Sequence, residues 1–316
     1  MPIAPSPARS RVTPLTWLLL GLSTLWCIAW FVHSLGYWED DAYIHLEFAR
    51  SFATGHGFSF NGHVVYGDTS PLWVWLLAAF HVVIPHWMAA GKTLSAVAAV
   101  FALSGAFFFA RSLTRSRLGL ASSNVFAAAM VLVFVVNPFF GYWAFSGMEA
   151  LAAAGLACWA AAAVARRHLS PPRFLIACIL GGLAPLLRPE MAFFTILLGL
   201  ILLQRLPRVV PGLPQRMLLF CAGLAWMALP FLFWARYAVH TFGTVLPNTN
   251  AAKRAAPHDS VLVHLVGIYV LGFPLVLFGL TLLAVWAIWW VLRGRERGPS
   301  LLPLLHPGGW LLLVWT

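Results

Sequence analysis

Pro71-Leu72-Trp73-Val74-Trp75-Leu76-Leu77-Ala78-Ala79-Phe80-His81-Val82-Val83-Ile84 is an apolar run of 14 residues, closed by Pro85. A helix that crosses a bilayer core needs about 20 apolar residues. The run is therefore expected to be a re-entrant or interfacial segment that stays on one side of a membrane. The remaining apolar runs are 15–35, 93–110, 119–137, 149–165, 174–187, 190–204, 217–236, 261–292 and 301–316. If 71–84 also crossed, Arg111, Arg115 and Arg117 would fall opposite Arg9 and Arg11. With 71–84 held outside, fourteen of the 20 basic residues gather on one face: Arg9/Arg11, Arg111/Arg115/Arg117, Arg166/Arg167/Arg173, Arg205/Arg208/Arg216 and Arg293/Arg295/Arg297. That distribution satisfies the positive-inside rule, with the N-terminus in the cytoplasm. Eight of the nine acids fall on the other face.

Composition points the same way. Hydrophobic residues make up 61% of the 316 positions and charged residues 9%, against roughly 25% charged in an average soluble domain. So few charges exclude a soluble globular enzyme, a secreted disulfide scaffold and a disordered chain. Continuous apolar runs, rather than alternating ones, exclude a membrane β-barrel. The net charge of +11 is read as a topology signal and not as a nucleic-acid surface. Cys27, Cys158, Cys178 and Cys221 lie in apolar runs without CxxC spacing, which indicates neither zinc nor disulfides. The run 15–35 lacks a small-residue cleavage motif and is read as a retained helix.

The fold class expected is all-α: a single domain over 1–316, a bundle of about nine spans with membrane-parallel helices in a long first outer loop, 36–92. The chain stops at Thr316 inside an apolar run, which reads as truncation. The run 174–204 is interrupted by Arg188-Pro189-Glu190, and the charge rule favours two short helices turning there over one kinked helix.

Five of the acids share the first outer loop: Glu39, Asp40, Asp41, Glu47 and Asp68. Carboxylates near a bilayer are costly and tend to face a polar cavity or do chemistry. Residues 40–53 read as an amphipathic helix with Asp40 suited to cap it. Helical spacing puts Asp40, Tyr43, Glu47 and Arg50 on one face, and Ile44, Phe48, Phe52 and Ala49 on an apolar face turned to the membrane. Asp41 falls nearer the apolar stripe. Such a carboxylate suits a general base or a cation ligand.

Three further motifs lie on the same side. Ser146-Gly147-Met148-Glu149 opens a span, either as Ser cap and dipole-complementing Glu or as part of a site. Arg188-Pro189-Glu190 offers a guanidinium suited to phosphate, or a self-satisfied Arg–Glu pair. Pro247-Asn248-Thr249-Asn250 precedes the cations Lys253 and Arg254, which suit a lipid-linked phosphate or a solvated loop. Lysine occurs only at Lys92 and Lys253. Tyr43 and Trp73 suit sugar stacking or interfacial anchoring. There is no HExxH motif, Walker loop or dinucleotide fingerprint.

The strings Glu39-Asp40-Asp41-Ala42-Tyr43-Ile44, Ala49-Arg50, Gly55-His56-Gly57-Phe58, Asn61 and Gly67-Asp68-Thr69-Ser70-Pro71-Leu72-Trp73 resemble the first outer loop of bacterial integral-membrane glycosyltransferases of the GT-C superfamily. That superfamily includes protein O-mannosyltransferases, aminoarabinose transferases and the mycobacterial terminal arabinofuranosyltransferase. Ser146-Gly147-Met148-Glu149, Arg188-Pro189-Glu190 and Leu246-Pro247-Asn248-Thr249 with Ala252-Lys253 follow in matching order, so the resemblance covers about 36–254. Asn250 departs from the aromatic common after Pro-Asn-Thr. The resemblance implies inverting transfer of a sugar from a polyprenyl-phosphate donor to a glycan, lipid or protein acceptor, at the outer face of the inner membrane. It implies an acid of the first-loop pair as base, Asp40 by its position and Asp41 next. It implies cations on the donor phosphate: Arg188, Lys253 and Arg254. Tyr43, Glu47, Asp68, Glu149, Glu190 and Asn248 are the candidates for positioning substrate. No cofactor is required, and a divalent metal on the acid cluster is compatible. Alternative readings are a transporter or flippase of an amphiphilic lipid, or a non-catalytic membrane subunit.

Overall fold

The computed structural model describes residues 12–245, Arg167 excepted, and Pro247. Arg9, Arg11, the runs 261–292 and 301–316, and the cluster Arg293/Arg295/Arg297 lie outside the described residues.

The described chain is helical apart from one small hairpin. Helix α1 spans Pro14–His33, and Thr13 caps it by accepting the Thr16 N–H at 3.3 Å. Helix α2 spans Asp40–Ala53. A two-residue hairpin follows, β1 Ser59–Phe60 and β2 His63–Val64, with Phe60 opposite His63. Its turn is Asn61-Gly62, both at positive φ (50° and 82°), the combination that matches the twist of paired strands. The remaining helices are α3 Pro71–Val83, α4 Trp87–Val136, α5 Pro138–Ala144, α6 Ala150–Val164, α7 Pro171–Leu183, α8 Met191–Val209 and α9 Leu213–Phe242. A 3₁₀ turn, Ala184–Leu186, ends α7.

At 13 residues, α3 is about 20 Å long, short of the ~30 Å hydrocarbon layer. It packs on α2 and the start of α4. Helix α4 is the opposite case. Straight, its 50 residues would reach ~75 Å. Gly119 breaks it with φ 74° and ψ 176°, a region open essentially to glycine. The second arm returns along the first: Ala99, Val131 and Val135 share one apolar cluster, and Trp30 Nε1 donates to the Val135 carbonyl at 3.0 Å. The runs 93–110 and 119–137 thus form two arms joined through Arg111, Arg115 and Arg117, as the charge pattern requires.

Small residues set the closest helix contacts. A Cβ on Gly155 would stand 2.4 Å from Phe101, and one on Gly105 2.9 Å from Cys158, so α4 and α6 meet at near-backbone distance. Such approach is how apolar helices associate where lipid removes the hydrophobic drive. The 174–204 region is two helices. Thr195 Oγ1 of α8 donates to the Gly181 carbonyl of α7 at 2.7 Å, which closes an α7–α8 hairpin whose tip is Arg188-Pro189-Glu190.

The polar residues separate into two ends. At one, Arg205 donates to the Arg166 carbonyl at 3.0 Å, and Arg166 lies in the field of Arg173, Arg115 and Arg111. At the other sit α2, the hairpin loop, the first turns of α4 and α6, and the α7–α8 tip. The helices α1, α4, α8 and α9 are long and apolar enough to cross a membrane, and α3, α6 and α7 are shorter apolar helices. Trp17, Phe193, Leu218 and Phe233 are 64–75% exposed. Water disfavours such a surface, whereas lipid accepts it. The chain is an all-α membrane bundle.

Candidate functional site

Helix α2 organises the acid-rich end. It begins at Asp40, but its N-cap is Glu39 rather than the expected Asp40, and no side chain caps it. The Glu39 carboxylate is already engaged, since the hydroxyls of Tyr37 and Tyr142 both donate to it. Burial and that carboxylate hold the Tyr37 hydroxyl well above the usual phenol range. Asp40 and Asp41 follow in the first turn, both exposed. The outer face of α2 continues as expected with exposed Tyr43, half-buried Glu47 and exposed Arg50. Arg50 grips Glu47 with Nε at 2.9 Å and Nη2 at 2.7 Å, and this bidentate pair holds the Glu47 carboxyl below its ordinary range.

The inner face of α2 differs from the stripe expected. Its buried residues are Ala42, His45, Leu46, Phe48, Ala49 and Ser51, while Phe52 stays 40% exposed. The helix rests on α3 rather than presenting its aromatic stripe to lipid, which turns the buried arc about the axis toward His45 and away from Phe52. Trp73 is fully buried, and its Nε1 donates to the Gly147 carbonyl at 3.0 Å. Neither sugar stacking nor interfacial anchoring is open to it. Tyr43 keeps that possibility, at 50% exposure.

His45 is the residue that the sequence did not single out. Its Nδ1 is 2.6 Å from Asp68 Oδ2, and its Nε2 is 3.0 Å from Glu149 Oε2. The second contact lacks hydrogen-bond alignment, so it is an ion contact rather than a bond. All three side chains are buried. Burial alone would lower the histidine's pKa. Two carboxylates outweigh it and push the imidazole up to about 10, as opposite charges do at such distances. His45 is therefore an imidazolium at neutral pH.

The chain of charge continues outward. Arg188 Nη1 lies 3.5 Å from Glu149 Oε1, and Arg188 Nε donates to Glu190 Oε1 at 2.6 Å. The guanidinium is about a third exposed (36%) and Glu190 more so (57%). The two readings of Arg188-Pro189-Glu190 thus combine: the Arg–Glu pair forms, and the same arginine leans on buried Glu149. Glu149 is itself the N-cap position of α6, without a side-chain cap bond. Ser146 caps nothing in α6; it accepts the Met148 N–H at 3.3 Å within its own turn. That turn needs Gly147, at φ 88°, where a Cβ would strike Trp38 and Ala42 within 2.9 Å.

The surrounding loop is fixed by specific bonds. Asp68 Oδ1 accepts the Ser70 N–H at 2.6 Å, an Asx turn that starts α3. Tyr66 accepts from Trp234 Nε1 at 2.9 Å and stacks on Phe242. Phe58 packs on Trp234 and Tyr237, so the end of α9 clamps the loop. Lys92 donates to the carbonyls of Ser34, Tyr37 and Phe145, joining three segments.

Of the candidate residues, Asp68, Glu149, Arg188 and Glu190 join through His45 into one network. Asp40, Asp41 and Tyr43 lie on the open face of the same helix as His45, and Glu47 is satisfied by Arg50. Asn248, Lys253 and Arg254 lie outside the described residues. Among the described residues, no group of three or more His, Cys, Asp and Glu side chains is arranged to hold a metal ion. No known protein family, curated protein or solved structure matches the chain. What fold and site define is a class: a multi-helix membrane protein with a buried ionic network beneath an exposed acidic pair.

Proposed function

We propose that the protein is an integral-membrane glycosyltransferase of GT-C type, using a polyprenyl-phosphate sugar donor at the outer face of a bacterial inner membrane. The observation that carries the reading is the two-faced use of α2. Its open face presents Asp40 and Asp41, and its buried face ties through His45 and Glu149 to Arg188. One helix thereby carries a candidate base on its open face and, on its buried face, joins the network that ends at a candidate phosphate ligand.

In this mechanism Asp40 accepts the proton of an acceptor hydroxyl. The hydroxyl oxygen attacks the anomeric carbon and forms the new glycosidic bond. The bond from that carbon to the phosphate oxygen breaks, and polyprenyl phosphate leaves with the electron pair. A single displacement inverts the anomeric centre. Arg188 neutralises the charge that develops on the leaving phosphate, where a fixed guanidinium is worth most. Glu149 and Glu190 hold that guanidinium in place. Asp41 orients the acceptor, and Tyr43 offers a ring face to the sugar. Lys253, Arg254 and Asn248 are further ligands that the family resemblance suggests.

The test is transfer in proteoliposomes with a panel of radiolabelled polyprenyl-phosphate sugars, with and without EDTA. One donor should be consumed by wild type, and Asp40→Asn should lower the rate by ~10²-fold or more. Because Asp40 is exposed, its substitution should leave the thermal unfolding temperature unchanged. Loss in Asp41→Asn with activity kept in Asp40→Asn would reverse the roles of the pair. A folded wild type that turns over no donor would sink the reading.

A further inference from the structure

The opposite end of the bundle carries its own recess. A cavity of about 380 Å³ is lined by His168, Leu169, Arg205, Arg208 and Val209. It lies between the α6–α7 connection and the last turn of α8. Arg205 is fixed there by the carbonyls of Val164 and Arg166, so its guanidinium is held rather than free to swing. Arg166, whose carbonyl supplies one of those anchors, stands in the field of Arg173, Arg115 and Arg111; burial and these three like charges push its guanidinium pKa down. Arg111 Nε is buried without a hydrogen-bond partner. The acids among the described residues are Glu39, Asp40, Asp41, Glu47, Asp68, Glu149 and Glu190, and all belong to the other end. The positive-inside rule explains why arginines gather here. It does not explain why two of them, with a histidine, line a recess instead of spreading over the surface.

The volume lies at the lower end of the ~300–1,000 Å³ typical of small-molecule sites. It is enough for a phosphate with a small polar substituent, and too little for a whole lipid. Arginine pairs with phosphate oxygens by two parallel N–H bonds, and basic recesses between membrane helices hold lipid phosphates. We propose that this cavity is a binding site for a phosphate-bearing anion, with Arg208 as its hydrogen-bonding cation, the carbonyl-anchored Arg205 adding fixed positive charge beside it, and His168 as an additional donor. The site is separate from the acid-rich end and independent of any transfer chemistry there.

The test uses the full chain in nanodiscs of phosphatidylcholine. Three arms add phosphatidylglycerol to the bilayer, inorganic phosphate to the buffer, or neither. Retained lipid is counted by native mass spectrometry, and thermal unfolding is followed in parallel. Arg208→Gln is the main variant, because Arg205 also holds backbone carbonyls and Arg205→Gln risks misfolding. Arg236→Gln, exposed on α9 near the acid-rich end, removes the same charge elsewhere. Wild type and Arg236→Gln should each retain phosphatidylglycerol and unfold at higher temperature with it. Arg208→Gln should bind it at least tenfold more weakly. A rise with inorganic phosphate, lost in Arg208→Gln, would support the site and assign it to a soluble phosphate compound. Equal binding by Arg208→Gln and wild type in both arms would overturn the proposal.

Discussion

At His45, burial and charge pull in opposite directions. A buried neutral imidazole would suit an apolar helix face, but Asp68 and Glu149 flank it within 3.0 Å. Removing one partner of such a buried cluster costs about 3–5 kcal/mol, because the remaining charges lose their counterion. His45→Gln should lower stability by that amount at pH 7, read from chemical unfolding in detergent. The sign of the pH dependence follows from the raised pKa. The imidazolium's contribution is fully present below the unfolded value of 6.5 and is lost as pH rises through about 10. Unfolding temperature should therefore fall between pH 7 and 10.5 in wild type more steeply than in His45→Gln. Parallel profiles would show that the imidazole is not the titrating group. This residue was hidden in the sequence for a physical reason. On a helical wheel His45 sits within the arc of Ala42, Phe48 and Ala49, where a lone histidine looks like filler. Its partners are 23 and 104 positions away, and no local spacing announces them. Asp68, Glu149 and Arg188 were legible as candidates because acids and polar breaks are rare in this chain, yet their mutual contacts were not.

Among the elements, α4 shows how one residue selects between two architectures. Ala-rich and Leu-rich sequence on both sides of Gly119 favours a continuous helix, while Gly119 supplies a backbone conformation that costs other residues about 1–3 kcal/mol. Gly119→Ala should destabilise the bundle by that amount, measured by thermal unfolding. It should also weaken disulfide cross-linking between cysteines placed at Ala99 and Val131, since a straightened helix separates the arms. Unchanged cross-linking would mean that packing against α1 and α6, not the glycine, sets the bend. Charge bookkeeping made the two arms legible, as it did the α7–α8 hairpin and the short α3. The bounds of α2 followed from a polar-to-apolar period with a Gly-rich turn behind it. The buried face of α2 was not legible, because the period fixes a stripe only to within a residue or so, and α3 decides which edge is covered. The hairpin closed by Asn61-Gly62 is legible only in that Asn-Gly pair, because its two-residue strands are too short to show an alternating pattern.

For the whole molecule, the separation of acids from arginines makes a prediction about sides. In intact cells a membrane-impermeant maleimide should label Asn61→Cys, in the hairpin turn, in a background without native cysteines. Ser116→Cys, in the arginine-bearing bend of α4, should label only after permeabilisation. The reverse pattern would invert the orientation proposed with the glycosyl-transfer function. The Lys92 contacts set a further condition, on the order in which the chain is assembled during synthesis. Lys92 binds carbonyls 58 and 55 residues before it and 53 after it. The segment around Ser34 and Tyr37 therefore cannot settle when it first emerges; it must wait for Phe145. His45 waits almost as long for Glu149, about 5–20 s at ribosomal speeds of ~5–20 residues per second. Through that interval Asp68 is its only carboxylate partner in the finished cluster already made. A nascent chain arrested between Glu149 and Arg188 would hold two carboxylates against one imidazolium beside the bilayer, open to whatever quality-control proteases patrol that surface.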